Sequence, residues 1–244
     1  MVTPGTLAEA AAIGPYFAVA AGPRPDGAAF RPMTDLYTDR AALKGYVDAV
    51  AGRLGTDRRR VAASTLHLGT ASRLWSVALA CSALTGRVPD LSPPLLWWRQ
   101  APAGPVELWL PEVRTLPDGP AAALHDTVAV RNLRPLSDAV REVYGVSPQT
   151  LRGNAASALV GALRVLLARA PHAPHPATPL VLGLLGRPPL AGAGTYETAP
   201  DGTVRLSRRS CCLYYRVPGA GTCGDCVLNR RNIRDHRNRE ETSA

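Results

Sequence analysis

Four of the five cysteines in this 244-residue chain fall within sixteen positions of one another: Cys211, Cys212, Cys223 and Cys226, in the run SRRSCCLYYRVPGAGTCGDCVL. Any fold must bring these thiols together or keep them apart. Four thiolates can hold tetrahedral zinc or an iron-sulfur cluster. Successive side chains of an extended strand point to opposite faces. Cys211 and Cys212 can therefore serve one centre only if the backbone kinks, or if the centre is wide enough to be reached from two directions. A two-iron cluster is wide in that sense, and a single zinc is not. A zinc-stapled interaction module and thiol redox chemistry stay open as alternatives. A disulfide between the adjacent cysteines would close a strained eight-membered ring.

The segments around the cysteines suit the same purpose. The loop LYYRVPGAGT contains Pro218, Gly219 and Gly221, which let a chain turn back tightly and present amide N–H groups to sulfur. In CGDC, Gly224 removes a side chain where backbone and inorganic sulfide would collide. NRRNIRDHRNRE can begin a helix just after Cys226, and a helix N-terminus stabilises thiolate charge. Asp201 to Ala244 holds nine arginines (205, 208, 209, 216, 230, 231, 234, 237 and 239) against five acids, a net +4. A 2Fe-2S cluster with four thiolates is doubly negative when oxidised and triply negative when reduced. Positive surroundings therefore raise its potential.

The whole chain has a formal charge of +9, and a single lysine, Lys44, among its 28 basic residues. Such an arginine bias fits a GC-rich genome as well as an anionic partner. The N-terminal stretch has no positive n-region and Glu9 interrupts its apolar residues, so neither a secretory signal nor a transmembrane segment is expected. A cytoplasmic location follows as the expectation, where reduced thiols favour metal or redox chemistry over disulfides.

Hydrophobic periodicity predicts an α+β protein that is mainly helical, with few short antiparallel strands. One helix runs from Thr38-Asp39 through Leu43, Tyr46, Val47 and Val50 to Gly55. A second, capped by Thr56, carries Val61, Thr65, Leu68, Ser72, Trp75 and Leu79 on its core stripe, with a possible break at Gly69. Val106 to Leu110 alternates as a strand, and Leu136 to Tyr144 is helical. Ser147-Pro148 opens the clearest helix, with Leu151, Ala155, Leu159, Leu163 and Leu166 on its buried side. After PHAPHPATP and a short helix to Leu185, TYETAPDGTVRLS forms a hairpin around Pro200-Asp201-Gly202. A boundary near Gly194 divides a helical domain, 1–194, from a small iron-sulfur segment, 195–244. Cys81, His67, His125 and the tryptophans Trp97, Trp98 and Trp109 read as core or surface residues. Asn154 reads as a capped or bridging amide, and His172, His175 and His236 as linker or tail residues.

The pattern C-C-x10-C-x2-C, with SCCLYYR before the loop and CGDC after it, resembles the iron-sulfur motif of the FhuF-type ferric-siderophore reductases. LHLGTASRLWS (66–76), LWW (96–98) and GNAASAL (153–159) resemble the helical region of that family. The resemblance implies one 2Fe-2S cluster on Cys211, Cys212, Cys223 and Cys226. It also implies a ferric siderophore as substrate and one-electron reduction that releases Fe(II). No nucleotide or flavin fingerprint is legible, so a separate electron donor is expected, a ferredoxin or a flavin or NAD(P)H reductase. Arg73, Arg99 and Arg152, with Arg208, Arg209 and Arg216, are the candidate contacts to an anionic siderophore. The alternatives are a redox-sensing regulator and an electron carrier; no helix-turn-helix signature supports nucleic-acid binding.

Overall fold

The computed structural model describes residues 1–23, 29–102 and 104–228. Helix α4, Arg59–Thr85, is the axis of the protein. Around it pack α1 (Pro4–Ile13), α3 (Arg40–Arg53), α6 (Arg134–Tyr144) and α7 (Pro148–Arg169), with α7 making the most extensive contact. The shorter helices are α2 (Met33–Thr38), α5 (Pro120–Leu124) and α8 (Thr178–Leu185), and a π-helical stretch, His125–Leu133, joins α5 to α6.

The caps explain where several helices begin. Asp39 accepts from the Ala41 N–H at the start of α3, and Ser147 from the Thr150 N–H at the start of α7, where Pro148 follows. Thr3 and Thr6 form a reciprocal capping box on α1, an element whose Leu7, Ala10 and Ile13 join the core. Gly86 and Gly145 close α4 and α6 in the left-handed region, with φ of 67° and 62°.

Helix α4 departs from its expected form in three ways. It starts at Arg59 with no side-chain cap, and Thr56 instead accepts from the Arg58 N–H. It runs unbroken through Gly69. Nearly all its faces are buried, and Thr65, Leu68, Gly69 and Ser72, three of which were expected in the core stripe, are its half-exposed residues before the last turn. A one-sided pattern is a poor guide to a helix surrounded by packing. Helix α7 is long and apolar enough to cross a membrane by length and composition, but most of it is packed inside the protein.

Strands β1 (Ala20–Ala21), β2 (Arg31–Pro32), β3 (Trp97–Arg99) and β4 (Glu107–Leu110) form one sheet in the order β1-β4-β3-β2. The pairs β2–β3 and β3–β4 are antiparallel, whereas β1 lies parallel to β4, which the expected antiparallel set did not include. Trp98 stacks on Tyr46, and Trp109 packs among Phe30 and Trp97 while its indole N–H donates to Gly22 O. The hairpin of β5 (Gly194–Thr198) and β6 (Val204–Arg208) turns at Gly202, φ 79°. Val204 and Leu206 of β6 belong to the same continuous hydrophobic core as the helices, and β6 lies against α7. This register delivers the chain after Arg208 to the N-terminal parts of α4 and α7.

Candidate metal centre

Two helices fix the backbone of the adjacent cysteines. The Thr150 hydroxyl of α7 donates to Cys211 O at 3.2 Å, and the Ser64 hydroxyl of α4 donates to Cys212 O at 2.8 Å. Just upstream, Ser210 Oγ donates to Gln149 O at 2.6 Å. Leu213 then turns with φ 70°, the left-handed region that costs an L-residue energy, and it is the one non-glycine with positive φ among the described residues. A single 3-10 turn, Tyr214–Arg216, follows and packs on α4. The chain thus turns sharply at the residue that follows the adjacent pair.

The return segment is held through Asp225. Its carboxylate accepts from the Ser157 hydroxyl and the Arg164 guanidinium, both on α7, and its carbonyl accepts from the Arg208 N–H at 3.3 Å. The Cys226 N–H closes a turn on Cys223 O at 3.1 Å.

Cys212 and Cys226 face inward, 4% and 7% exposed, while Cys211 and Cys223 are half-buried. Cys212 Sγ and Cys223 Sγ lie 3.6 Å apart. Two thiolates at ~2.3 Å from one tetrahedral metal would be about 3.8 Å apart, so this pair is spaced for a shared ion. The Leu213 N–H donates to Cys211 Sγ at 3.3 Å and the Leu228 N–H to Cys226 Sγ at 3.4 Å. The Cys223 thiol as donor draws Cys212 down to about 6, with the Tyr214 amide and Arg208 assisting against burial. The same bond pushes Cys223 up, and burial raises Cys211. Cys212 and Cys226 both act electrostatically on Cys211 and on Cys223, which puts the four sulfurs in one neighbourhood. Among the described residues no three His, Cys, Asp or Glu side chains surround a single point. The donor set, with its amides aimed at sulfur, fits a 2Fe-2S cluster.

Beneath the cysteines runs a buried polar chain. Arg208 Nη2 donates to Asn154 Oδ1 at 2.7 Å and to Thr150 O at 3.2 Å; Asn154 Nδ2 donates to Ser64 O at 2.9 Å and Ser64 Oγ at 3.0 Å. Asn154 is thus the bridging amide that its place on α7 suggested. Gly153 makes the approach possible, since a Cβ there would lie 2.6 Å from Ser210 Oγ and 2.7 Å from Arg208 Nη2. Gly153→Ala is therefore expected to cost about 1–3 kcal/mol by overpacking. Thermal unfolding of the variant should show the loss, with a parallel fall in iron content as the cysteine backbone shifts; unchanged values of both would refute this packing.

The six candidate arginines do not gather at one place. Arg73 is buried and spends its guanidinium on the carbonyls of Val106, Pro15 and Ala18, so it secures the β1 and β4 regions rather than meeting a substrate. Arg99 pairs with Glu107 and covers the Phe30 ring, in the sheet. Arg152 is exposed beside Arg134 and Arg141 in a pocket between α6 and α7. Arg208 is buried, which removes it from substrate contact too. Arg209 and Arg216 are exposed near the cysteines, the latter against Tyr215.

His67 is enclosed and bonds Ser137 through Nε2 at 2.9 Å; burial, with help from Arg208, holds it down to about 3, so it is neutral. His125 meets Pro188 O. Cys81 is a core residue whose thiol burial pushes up to about 12. The expected helix after Cys226, its arginines and His236 lie outside the described residues. Ser64, Thr150, Ser157, Arg164 and Asp225 support the site without having been singled out from sequence. Ser157 does fall in GNAASAL, whose Gly153 and Asn154 also serve the site; isolated hydroxyls such as Ser64 leave no local signature.

Residues 208–228 match the FhuF 2Fe-2S C-terminal domain, which makes this segment FhuF-like and points to a 2Fe-2S cluster as its cofactor. No curated protein matches the chain.

Proposed function

We propose that this chain reduces siderophore-bound Fe(III) to Fe(II) in the cytoplasm, with the FhuF-type segment as its redox site. The 2Fe-2S group held by Cys211, Cys212, Cys223 and Cys226 supplies single-electron chemistry when bound. The observation that carries the reading is the uneven burial of the four sulfurs. Cys212 and Cys226 are enclosed, whereas Cys211, which lies near Arg216, and Cys223 are half-exposed. One edge of the site thus borders solvent, and a ferric complex can approach it without entering the core.

The protein's tasks are then few. It holds the thiolates, orients amides toward them and excludes water from the inner side. One electron enters from a separate reduced donor, and one leaves to Fe(III). Siderophore oxygens bind the hard ferric ion far more tightly than ferrous iron, so reduction loosens the complex without breaking a bond in the ligand. No general base is needed.

The test is anaerobic mixing of the reduced protein with ferric siderophores. Reoxidation should saturate with siderophore concentration, and a ferrous chelator should trap one Fe(II) per electron delivered. Reoxidation that never saturates, at the same rate for any ferric chelate, would instead make the protein an electron carrier.

A further inference from the structure

Arg208 is a buried cation whose guanidinium is not fully used. Its residue is 3% exposed, and only Nη2 has protein acceptors, Asn154 Oδ1 and Thr150 O. Nε and Nη1 have no hydrogen-bond partner among the described residues, and no carboxylate there pairs with the charge. Asp225 is close enough to accept from the Arg208 backbone N–H, yet its carboxylate is turned to Ser157 and Arg164. Arg73, equally buried, differs: Nε, Nη1 and Nη2 each donate to a backbone carbonyl.

An uncompensated buried charge is strongly unfavourable, so a fold that keeps one has a negative partner for it. The side chains adjoining Arg208 indicate where that partner belongs. Thr150, which accepts from Nη2, donates to Cys211 O; Asn154, its other acceptor, is bonded to Ser64, which donates to Cys212 O. Through its backbone N–H, Arg208 also joins the Cys223–Cys226 turn at Asp225. Both halves of the cysteine set are therefore tied to this one residue.

We propose that Arg208 is the buried counter-ion of the cysteine site and raises the reduction potential of the 2Fe-2S group held there. This rests on the redox reading above. Reduction adds one negative charge, and a fixed cation in a poorly polarisable interior favours the reduced form over the oxidised one. Exposed arginines are screened by water and salt and contribute far less. Arg208 is thus a positioning and tuning residue that never touches the siderophore.

The experiment compares wild-type protein with Arg208→Met, Arg208→Lys and, as a surface control on the same strand, Arg205→Met. The midpoint potential is read by anaerobic optical titration, and thermal unfolding is measured with and without the cluster. Arg208→Met should disfavour the reduced state at least tenfold, a fall of about 59 mV for a one-electron couple. It should also diminish the stability gained on cluster loading. Arg208→Lys, which keeps charge but not the planar fork, should shift the equilibrium less than threefold, and Arg205→Met not measurably. Equal shifts in the Met and Lys variants, or an unchanged potential in Arg208→Met, would overturn the proposal. If Arg208→Met fails to load while Arg208→Lys loads normally, the charge requirement stands; failure of both to load assigns Arg208 to scaffolding. Wild-type protein without iron or visible absorbance would overturn the cofactor reading instead, a failure that is separate and visible at the start.

Discussion

Cys212→Ser protein, prepared anaerobically, is expected to lose essentially all of its iron and its visible absorbance while keeping the far-ultraviolet dichroism of the wild type. Cys212 is an inward sulfur whose thiolate is favoured by the Cys223 thiol, the Tyr214 amide and Arg208. Serine cannot replace it as a soft ligand. The fold should survive, since Ser64 bonds to the backbone carbonyl of residue 212 rather than to its side chain. The continuous hydrophobic core also includes none of the four clustered cysteines. Cys81→Ser is the control: that residue is fully buried on α4 and apart from the cluster, so its substitution should lower stability and leave iron content unchanged. Wild-type iron in Cys212→Ser would refute the ligand set. Collapse of the helical signal would show instead that the centre organises the whole fold.

The second large effect is expected from Asn154→Leu, a change that keeps the branched shape and the number of side-chain heavy atoms at a site with no exposure. Asn154 accepts from Arg208 and donates twice to Ser64, so the variant removes these three bonds, leaving Arg208 Nη2 with Thr150 O alone and the Ser64 hydroxyl with Cys212 O alone. Losing three buried hydrogen bonds, one of them from a charged donor, costs about 2–4 kcal/mol. For a protein of this size the midpoint of thermal unfolding should fall by about 10 °C. Calorimetry of apo and loaded protein checks it, and the drop should appear in both, because the network exists in the polypeptide itself. A midpoint within about 2 °C of wild type would mean that the three bonds contribute nothing net.

Much of the architecture was legible because local chemistry decides it. Asp39 and Ser147-Pro148 start helices through the first unpaired amides, and Pro200-Asp201-Gly202 turns the hairpin through a glycine at φ 79° and an aspartate that accepts from the Thr203 N–H. Other elements carried no such mark. Strands β1 and β2 are two residues each and exist only because β4 and β3 offer partners. Helix α1 has a small apolar face, and the π-helical stretch depends on how His125–Leu133 packs. The half-exposed strip of α4 was misread for a related reason: with neighbours on nearly every side, the least buried line is set by where those neighbours leave a gap.

The candidate site shows the same division. Spacing alone suggested that Cys211, Cys212, Cys223 and Cys226 serve one centre, with either a kink at the adjacent pair or a centre wide enough to be reached from two directions. GNAASAL supplied the glycine, the amide and one serine that underlie the site, although nothing in it said what they would touch. The arginines were indistinguishable by pattern, and the fold separates them. Arg73 secures loops, Arg99 lies in the sheet, Arg152 faces another pocket, and Arg208 is enclosed beneath the sulfurs.

The sequence by itself determined the chemical capacity of the protein: which atoms can bind a cluster, and which segments can become helix or hairpin. Those properties depend on residue type and short spacing. Only the tertiary structure decided which two sulfurs meet solvent, which arginine loses its water, and that hydroxyls 148 and 61 residues away hold the adjacent cysteine carbonyls. Burial and pairing arise when α4, α7 and β6 come together, and no local pattern encodes the dielectric that each group will then experience.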